Sequence, residues 1–264
     1  MNAIGFSRFV ALGDSTTEGL DDPYPDGESF RGWADRLAAR LALLNPDLRY
    51  ANLAIRGRLI GQIFDTQLEP ALAMRPDLAS VVGGVNDILR PRVDMNHVRE
   101  RMESMQRRLI EAGATVLSMT LPDLSSSMGV ARLVSDRLLA YNELMREVAA
   151  RTGAVLVDMA DEPVAHDPRL WSADRLHANA QGHERISIAA AHALGLPDVD
   201  YAAAQTALPP PMRLPLYRSI PADVAWAWQH FRPWIGRRLR GRSSGDGVEP
   251  KRPELAPFDG PAQR

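Results

Sequence analysis

Short polar clusters in this 264-residue chain contain the residue types that nucleophilic catalysis requires. The first, residues 13–19, includes Ser15, and the last contains Asp174 and His177. A serine hydroxyl is a poor nucleophile until a base removes its proton, and an imidazole base needs a carboxylate that holds its tautomer. Side chains three residues apart, as Asp174 and His177 are, can point to the same side of one turn. We therefore predict Ser15 as the nucleophile, His177 as the general base and then acid, and Asp174 as the orienting carboxylate.

Donors for an oxygen that becomes negative during acyl transfer occur in the same clusters. The candidates are the backbone N–H of Ser15, the backbone N–H of Gly57 and the side-chain amide of Asn86. A preorganised donor of this kind contributes about 3 to 4 kcal/mol to stabilising the transition state. Glycine suits the middle position because it permits unusual dihedral angles and close approach. We expect these three residues to form an oxyanion hole.

The elements that must position these clusters alternate along the chain. Short β-rich runs are followed by longer segments in which apolar residues recur every three or four positions. The runs are residues 9–12, 48–53, 78–82, 115–119 and 155–157. Successive strand–helix units predict a parallel sheet, because parallel strands need crossovers and right-handed crossovers are strongly favoured. The predicted fold is a three-layer α/β/α domain with a five-stranded sheet, in which ligands bind at the carboxyl ends of the strands.

Taken in order, the clusters resemble the four blocks of the SGNH (GDSL) hydrolase family. The residues that carry the resemblance are Gly13-Asp14-Ser15, Gly57, Gly84-Val85-Asn86-Asp87 and Asp174-Arg175-Leu176-His177. The resemblance covers about residues 8–195. It implies a flavodoxin-like α/β/α fold and an esterase, lipase, thioesterase or acyltransferase reaction without a cofactor. It also implies that the family's four invariant residues are Ser15, Gly57, Asn86 and His177.

The chain departs from the family pattern beside two of these blocks. Thr16 replaces the usual leucine after the serine, and Ala178 replaces a common proline after the histidine. Neither position carries a proposed reacting atom, so the departures concern the subfamily rather than the chemistry.

Several charged residues near the clusters have structural interpretations as well as functional ones. Asp14 and Asp87 are acids that could join the base role, and the favoured interpretation is that both are structural hydrogen-bonding groups at strand ends. Arg56 and Arg58 flank Gly57, and they are interpreted either as a solvated pair or as cations that hold an anionic group of the substrate. The remaining histidines, His183 among them, are interpreted as surface side chains.

Composition narrows the range of functions. The chain has no cysteine, which excludes disulfides, thiolate zinc sites and cysteine nucleophiles. Its 31 basic and 33 acidic residues give a formal net charge of −2, so no overall excess of charge would attract nucleic acid. The sequence has no metal-ligand motif, no transmembrane segment and no secretory signal pattern, and we expect a cytoplasmic protein.

Charge and proline divide the chain into segments. Residues 1–212 carry 21 Arg against 28 acidic residues, whereas residues 213–242 carry seven Arg and a single acid. Eleven of the 20 prolines lie from position 197 onward. The predicted organisation is a hydrolase domain at 1–200, a proline-rich linker at 201–221, a basic Trp-rich helical segment at 222–240 and a disordered tail at 241–264. The basic segment either packs across its own acidic body or docks on a membrane or a partner.

The leading functional hypothesis is a cofactor-independent serine hydrolase that cleaves a small acyl ester or thioester through an acyl-enzyme on Ser15. An acyltransferase that uses the same residues is one alternative. A non-catalytic interaction module that uses residues 222–240 is another. The acyl chain length is open, because it depends on loop conformations that a single sequence does not give.

Overall fold

The computed structural model describes residues 5–27, 29–122, 134–209 and 243–258, and strands and helices alternate through most of these. The strands are β1 Arg8–Gly13, β2 Arg49–Asn52, β3 Leu78–Val82, β4 Thr115–Met119, β5 Val155–Val157 and β6 Arg252–Pro257. The helices are α1 Ser15–Glu18, α2 Gly32–Leu44, α3 Ile60–Ala73, α4 Val85–Ile88, α5 Met95–Glu111, α6 Ser135–Thr152, α7 Ala180–Ala193 and α8 Tyr201–Gln205. Single 3₁₀ turns, Met159–Asp161, Pro163–His166 and Pro168–Leu170, connect β5 to the region before α7.

The strands form one sheet in the order β5-β4-β3-β1-β2-β6. The first five pair in parallel, and their bounds agree with the predicted runs to within one or two residues. This confirms the α/β/α prediction, in which the sheet separates two helical layers. The sheet has six strands rather than five, because β6 pairs antiparallel with the edge strand β2.

Side chains of the central strand alternate between the two helical layers, as the pleat of a strand requires. Phe9 and Ala11 pack in the cluster that includes residues of α2 and α7, whereas Val10 and Leu12 pack with residues of α3, α5 and α6. All four side chains are fully buried. A strand buried on both faces reads as a continuous apolar run, which is how β1 appears in the sequence. No helix within the described part of the chain is long and apolar enough to cross a bilayer.

The region after residue 200 differs from the predicted organisation. Residues 201–205 form α8 where a linker was predicted, and residues 252–257 form β6 where a disordered tail was predicted. The two prolines of β6 are compatible with this position, since an edge strand tolerates proline where its N–H is not needed by a neighbour. The disorder prediction is therefore wrong for β6. The predicted basic segment, residues 222–240, lies outside the described residues.

Lys251, the single lysine of the chain, anchors β6 to the domain. Its ammonium lies 2.8 Å from Oδ1 of Asp35 and donates to the carbonyl oxygens of Phe30 and Arg31 at 2.8 and 2.9 Å. Burial lowers the pKa of Lys251, and the Asp35 carboxylate partly offsets that effect. Asp35 also accepts hydrogen bonds from the hydroxyl of Tyr50. Lys251 thus ties the start of β6 to α2 through Asp35 and to the residues that precede α2.

Removing this ammonium should destabilise the whole domain. We expect Lys251→Met to lower the free energy of unfolding by about 3 kcal/mol, because the buried Asp35 carboxylate loses its nearest cation. Urea unfolding followed by circular dichroism measures the change. Arg151→Met is the matched control, since its exposed ion pairs at 3.8 Å should contribute less than about 1 kcal/mol. Equal stability losses in the two variants would contradict the proposed anchoring.

Candidate active site

Three of the predicted clusters meet at the carboxyl ends of the strands. Ser15 is the first residue of α1 and follows β1, and Asn86 lies in α4, which follows β3. Because β1 connects to β2 on one side while β3 lies on its other side, the gap between β1 and β3 is the topological switch point of the sheet. The segment that contains Asp174 and His177 comes between the last 3₁₀ turn and α7.

Ser15, His177 and Asp174 form a continuous hydrogen-bonded series. Nε2 of His177 lies 2.9 Å from Oγ of Ser15, and Nδ1 lies 2.6 Å from Oδ2 of Asp174. The carboxylate fixes the tautomer, because an Nδ1–H that donates to Asp174 leaves Nε2 free to accept the serine proton. The structure therefore brings these three predicted residues together in the geometry that proton transfer from Ser15 needs. Their catalytic roles remain predictions.

The second oxygen of Asp174 is held by its own turn. Oδ1 accepts from the backbone N–H groups of Leu176 and His177 at 2.9 and 3.0 Å, and from the hydroxyl of Ser172 at 2.5 Å. Burial raises the pKa of Asp174, but the hydrogen bond and charge of His177, with help from Ser172, outweigh burial and hold that pKa below its usual range. Asp174 is thus ionised and oriented before any substrate arrives. Sequence reasoning did not single out Ser172.

A second carboxylate faces the same histidine nitrogen. Oδ2 of Asp21 lies 3.8 Å from Nδ1 of His177, and the backbone of Asp21 has a φ of +66°, which is uncommon for a residue other than glycine. Within the described residues, Asp21, Asp174 and His177 are also the one group whose ligand atoms lie close enough for a metal ion. Since Nδ1 is already paired with Asp174, the group is better explained as a charged environment for the imidazole. Nothing in the sequence pattern distinguished Asp21 from its neighbours.

The charge around His177 determines its pKa. Burial lowers the pKa, but the hydrogen bond to Asp174 and the negative charges of Asp174, Asp21 and Asp14 raise it more, so the net shift is upward. A raised pKa means that the base form of the imidazole is lost at a higher pH on acidification than in a free histidine. The same carboxylates would stabilise the imidazolium once it has accepted a proton.

The three predicted oxyanion donors lie on adjacent elements. The backbone N–H groups of Ser15 and Gly57 donate no hydrogen bond to any residue that the structure describes. Gly57 has a φ of +73°, a left-handed conformation that favours glycine. Nδ2 of Asn86 lies 3.2 Å from Oδ2 of Asp14 and 3.2 Å from the carbonyl oxygen of Arg58. Both distances are at the long end for hydrogen bonds.

Arg56 ties the Gly57 loop to the helix of Ser15. Its backbone N–H donates to Oε2 of Glu18 at 2.7 Å, and its guanidinium pairs with both carboxylate oxygens of Glu18. The guanidinium carbon also lies 5.1 Å from the centre of the Phe30 ring. Arg56 is therefore held by Glu18, with 26% of its side chain exposed, so its interpretation as a simple solvated residue is wrong. Its role in holding an anionic group of the substrate stays a prediction. Glu18, which is buried, was missed by sequence reasoning.

The two aspartates beside the clusters have the structural contacts that the sequence suggested. Asp14 accepts from the backbone N–H of Thr16 at the start of α1, and burial raises the pKa of Asp14 to about 6. Asp87 accepts from the backbone N–H of Ile60 at 2.9 Å, where it caps α3. Burial also raises the pKa of Asp87.

His183 is buried rather than at the surface, which corrects its sequence interpretation. Nδ1 accepts from the backbone N–H of Trp33 at 3.2 Å, and Nε2 lies 3.0 Å from the carbonyl oxygen of Leu20. Burial lowers the pKa of His183 to about 4, so the side chain is neutral near pH 7. It joins α7 to α2 and to the residues just before Asp21. The sequence gives no sign that this histidine has two partners, 150 and 163 residues away.

The comparisons with known proteins agree with the fold. Residues 11–185 match the GDSL-like lipase/acylhydrolase family, and the chain belongs to that family. No curated protein matches it in sequence.

Solved structures with the same fold include several hydrolases. One is LAE5, an alpha/beta hydrolase enzyme from the metagenome of Lake Arreo, with 24% identity, a TM-score of 0.59, and coverage of 73% of this chain and 96% of that one. A second is the acetylxylan esterase Axe2 from Geobacillus stearothermophilus, at 19% identity, a TM-score of 0.60 and the same coverages. A third is TesA, at 24% identity, a TM-score of 0.58, and coverage of 70% and 97%. At these identities the likeness shows the α/β/α fold, while the family match supports hydrolase activity of the esterase type.

Neutralising Asp21 should lower the pKa of His177. The sign follows from charge, because a carboxylate 3.8 Å from Nδ1 favours the imidazolium and Asp21→Asn removes that attraction. Nitrogen-15 NMR titration of the histidine side chains measures the pKa without a substrate. The imidazole of His183 is the internal control and should stay neutral over the pH range in which His177 titrates. An unchanged or higher pKa for His177 in Asp21→Asn would contradict the electrostatic role given to Asp21.

Proposed function

We propose that the protein is a cofactor-independent serine hydrolase that cleaves an ester or thioester through an acyl-enzyme on Ser15. The single observation that carries the proposal is the hydrogen-bonded series from Ser15 Oγ through His177 to Asp174, at 2.9 and 2.6 Å. A serine in this arrangement has a base within reach of its proton, and the base has a carboxylate behind it.

The first half of the reaction forms the acyl-enzyme. Nε2 of His177 takes the proton of Ser15 as Oγ attacks the carbonyl carbon of the substrate. The Nδ1–H of the resulting imidazolium donates to Asp174, while Asp21 and Asp14 add negative charge nearby. When the tetrahedral intermediate collapses, His177 returns its proton to the departing alcohol or thiol, and the acyl group remains on Ser15.

The second half returns the enzyme to its starting state. Water takes the place of the leaving group, and its oxygen attacks the acyl carbon as His177 removes one of its protons. When the second tetrahedral intermediate collapses, the bond from the acyl carbon to Oγ breaks, His177 returns the proton to Oγ of Ser15, and the acyl group departs as a carboxylic acid. An alcohol in the same position would give acyl transfer instead of hydrolysis. Product analysis with an added alcohol separates these two outcomes.

The oxyanion of each tetrahedral intermediate needs donors that carry no charge. In this proposal they are the N–H groups of Ser15 and Gly57, which have no acceptor among the described residues, and the amide of Asn86. One N–H of Asn86 would turn from its 3.2 Å contact with Asp14 or Arg58 to the oxyanion, which is the stronger acceptor.

The named relatives are consistent with this assignment. Variants of the acetylxylan esterase that are described as catalytic replace a serine, an aspartate and a histidine. The aspartate of that protein precedes its histidine by three positions, as Asp174 precedes His177 here. We take a short acyl ester as the first substrate to test.

Replacing the nucleophile should abolish turnover without unfolding the domain. We expect Ser15→Ala to lower kcat for a chromogenic short-chain ester by at least about 10⁴-fold, because no other hydroxyl contacts His177 in the described structure. A fluorophosphonate probe should label the native protein once, on Ser15. Ser7→Ala is the matched control, since Ser7 precedes the amino end of β1 and should keep full activity.

The outcomes of this experiment distinguish a serine hydrolase from a non-catalytic interaction module. Retained activity in Ser15→Ala would disprove the assignment of the nucleophile. A native protein that neither hydrolyses esters nor reacts with the probe would favour an interaction module without catalysis.

Removing the third oxyanion donor should affect the chemical step. We expect Asn86→Ala to lower kcat by about 10²- to 10³-fold with little change in KM, because the donor acts mainly on the developing oxyanion. Steady-state kinetics on the same ester gives both constants. A rise in KM with kcat unchanged would show that Asn86 binds the substrate rather than the intermediate.

A further inference from the structure

A turn near the C-terminus, residues 243–247, lies against the loop that carries Gly57. We infer that this C-terminal turn positions the Gly57 N–H as an oxyanion donor, which makes Gly245 a positioning residue for catalysis. The inference rests on the proposed function. It assigns a catalytic purpose to a part of the chain beyond residues 11–185, where the family match ends.

Gly245 makes the closest approach between the two segments. A Cβ added at this position would collide with the carbonyl oxygen of Arg56 and would lie 2.8 Å from Cγ2 of Ile55. Gly245 has no positive φ, so the backbone conformation alone would admit other residues. Close packing on Arg56 is therefore what excludes a larger side chain here.

The same contact is tight from the other side. A Cβ on Gly57 would collide with Oγ of Ser243 and would lie 3.0 Å from Oγ of Ser244. Each segment thus places a glycine against the other segment. A shift of the C-terminal turn would therefore also move the Gly57 loop. Since Gly57 supplies its backbone N–H to the proposed oxyanion hole, the position of that N–H depends on the C-terminal turn.

The C-terminal turn has its own hydrogen bonds and is tethered close by. The Ser243 N–H donates to Oδ2 of Asp246 at 2.9 Å, and the Gly245 N–H donates to Oγ of Ser243 at 3.1 Å. Four residues after the turn, Lys251 is fixed to Asp35, and β6 pairs with β2 directly afterwards. The C-terminal turn is therefore held both by its own hydrogen bonds and by the strand that follows it.

The Gly57 loop is then held from two directions. Glu18 binds Arg56 from the side of α1, the helix that begins with Ser15. The C-terminal turn packs on Arg56 and Gly57 from the other side. Fixing both neighbours of a donor is what preorganisation requires, because an oxyanion donor loses most of its effect when it moves by about 1 Å.

The test compares two glycines of the same turn. Gly245→Ala introduces the clash with Arg56, whereas Gly247→Ala points into open space and adds only the strain of a residue at a φ of +77°. We expect Gly245→Ala to lower kcat for the short-chain ester at least about tenfold with KM within about twofold, because the Gly57 N–H is displaced. We expect Gly247→Ala to retain kcat. Thermal unfolding of both variants shows whether each is folded at the assay temperature.

A second variant avoids the clash altogether. Asp246→Ala removes the acceptor of the Ser243 N–H from an exposed position, and we expect a smaller, several-fold loss of kcat in a fully folded protein. This variant decides the question if Gly245→Ala does not fold. Fluorophosphonate labelling of Ser15 in every variant checks that the nucleophile is intact.

The outcomes distinguish this inference from the proposed function. If the native protein hydrolyses the ester and Asp246→Ala and Gly245→Ala keep its kcat, the inference is wrong while the proposed function stands. Equal losses in Gly245→Ala and Gly247→Ala would also overturn it, because they would reflect general damage to the tail. A native protein without hydrolysis and without labelling would overturn both.

Discussion

The hydrogen bond between His177 and Asp174 is the interaction on which the rest of the site depends. At 2.6 Å it sets the tautomer of the imidazole, and the tautomer decides whether Nε2 can accept the proton of Ser15. Asp174 can do this because its second oxygen is occupied by two backbone N–H groups and the Ser172 hydroxyl. The negative charges of Asp21 and Asp14 then favour the protonated imidazole, which is an intermediate form in the proposed reaction.

The sheet brings together catalytic candidates that are far apart in the sequence, which no local motif could do. Ser15 and His177 are 162 residues apart, and they meet because β1 and the segment before α7 end at the same edge of the sheet. Buried polar groups hold the connecting segments in place. The imidazole of His183 links α7 to the backbone beside Asp21, and Glu18 links α1 to the Gly57 loop.

Much of the domain could be predicted from the sequence because its signals are local. Four of the five parallel strands are largely apolar runs with β-branched residues, β2 being the exception, and polar clusters follow β1, β2 and β3. The pair formed by Asp174 and His177 lies within one turn, so its spacing was informative. Parallel topology then required the clusters to converge on one edge.

The parts that could not be predicted depend on contacts between distant segments. β6 contains two prolines and lies in a segment with the composition of a disordered tail, and its pairing with β2 and the buried partner of Lys251, 216 positions earlier, explain why it is ordered. Arg56 looked solvated because its partner Glu18 is 38 residues away. Asp21 owes its place near His177 to loop geometry, and His183 owes its burial to the packing of α7 on α2. None of these pairings leaves a periodic pattern in the chain.

The most direct test of the central claim is to trap the covalent intermediate. The native protein, mixed with an activated short-chain ester and quenched in acid within milliseconds to seconds, is weighed intact by mass spectrometry and then digested. We expect a mass increase of one acyl group, located on the peptide that contains Ser15 and absent from Ser15→Ala. Rapid turnover with no acyl adduct on Ser15 at any quench time, or an adduct on another residue, would contradict this expectation.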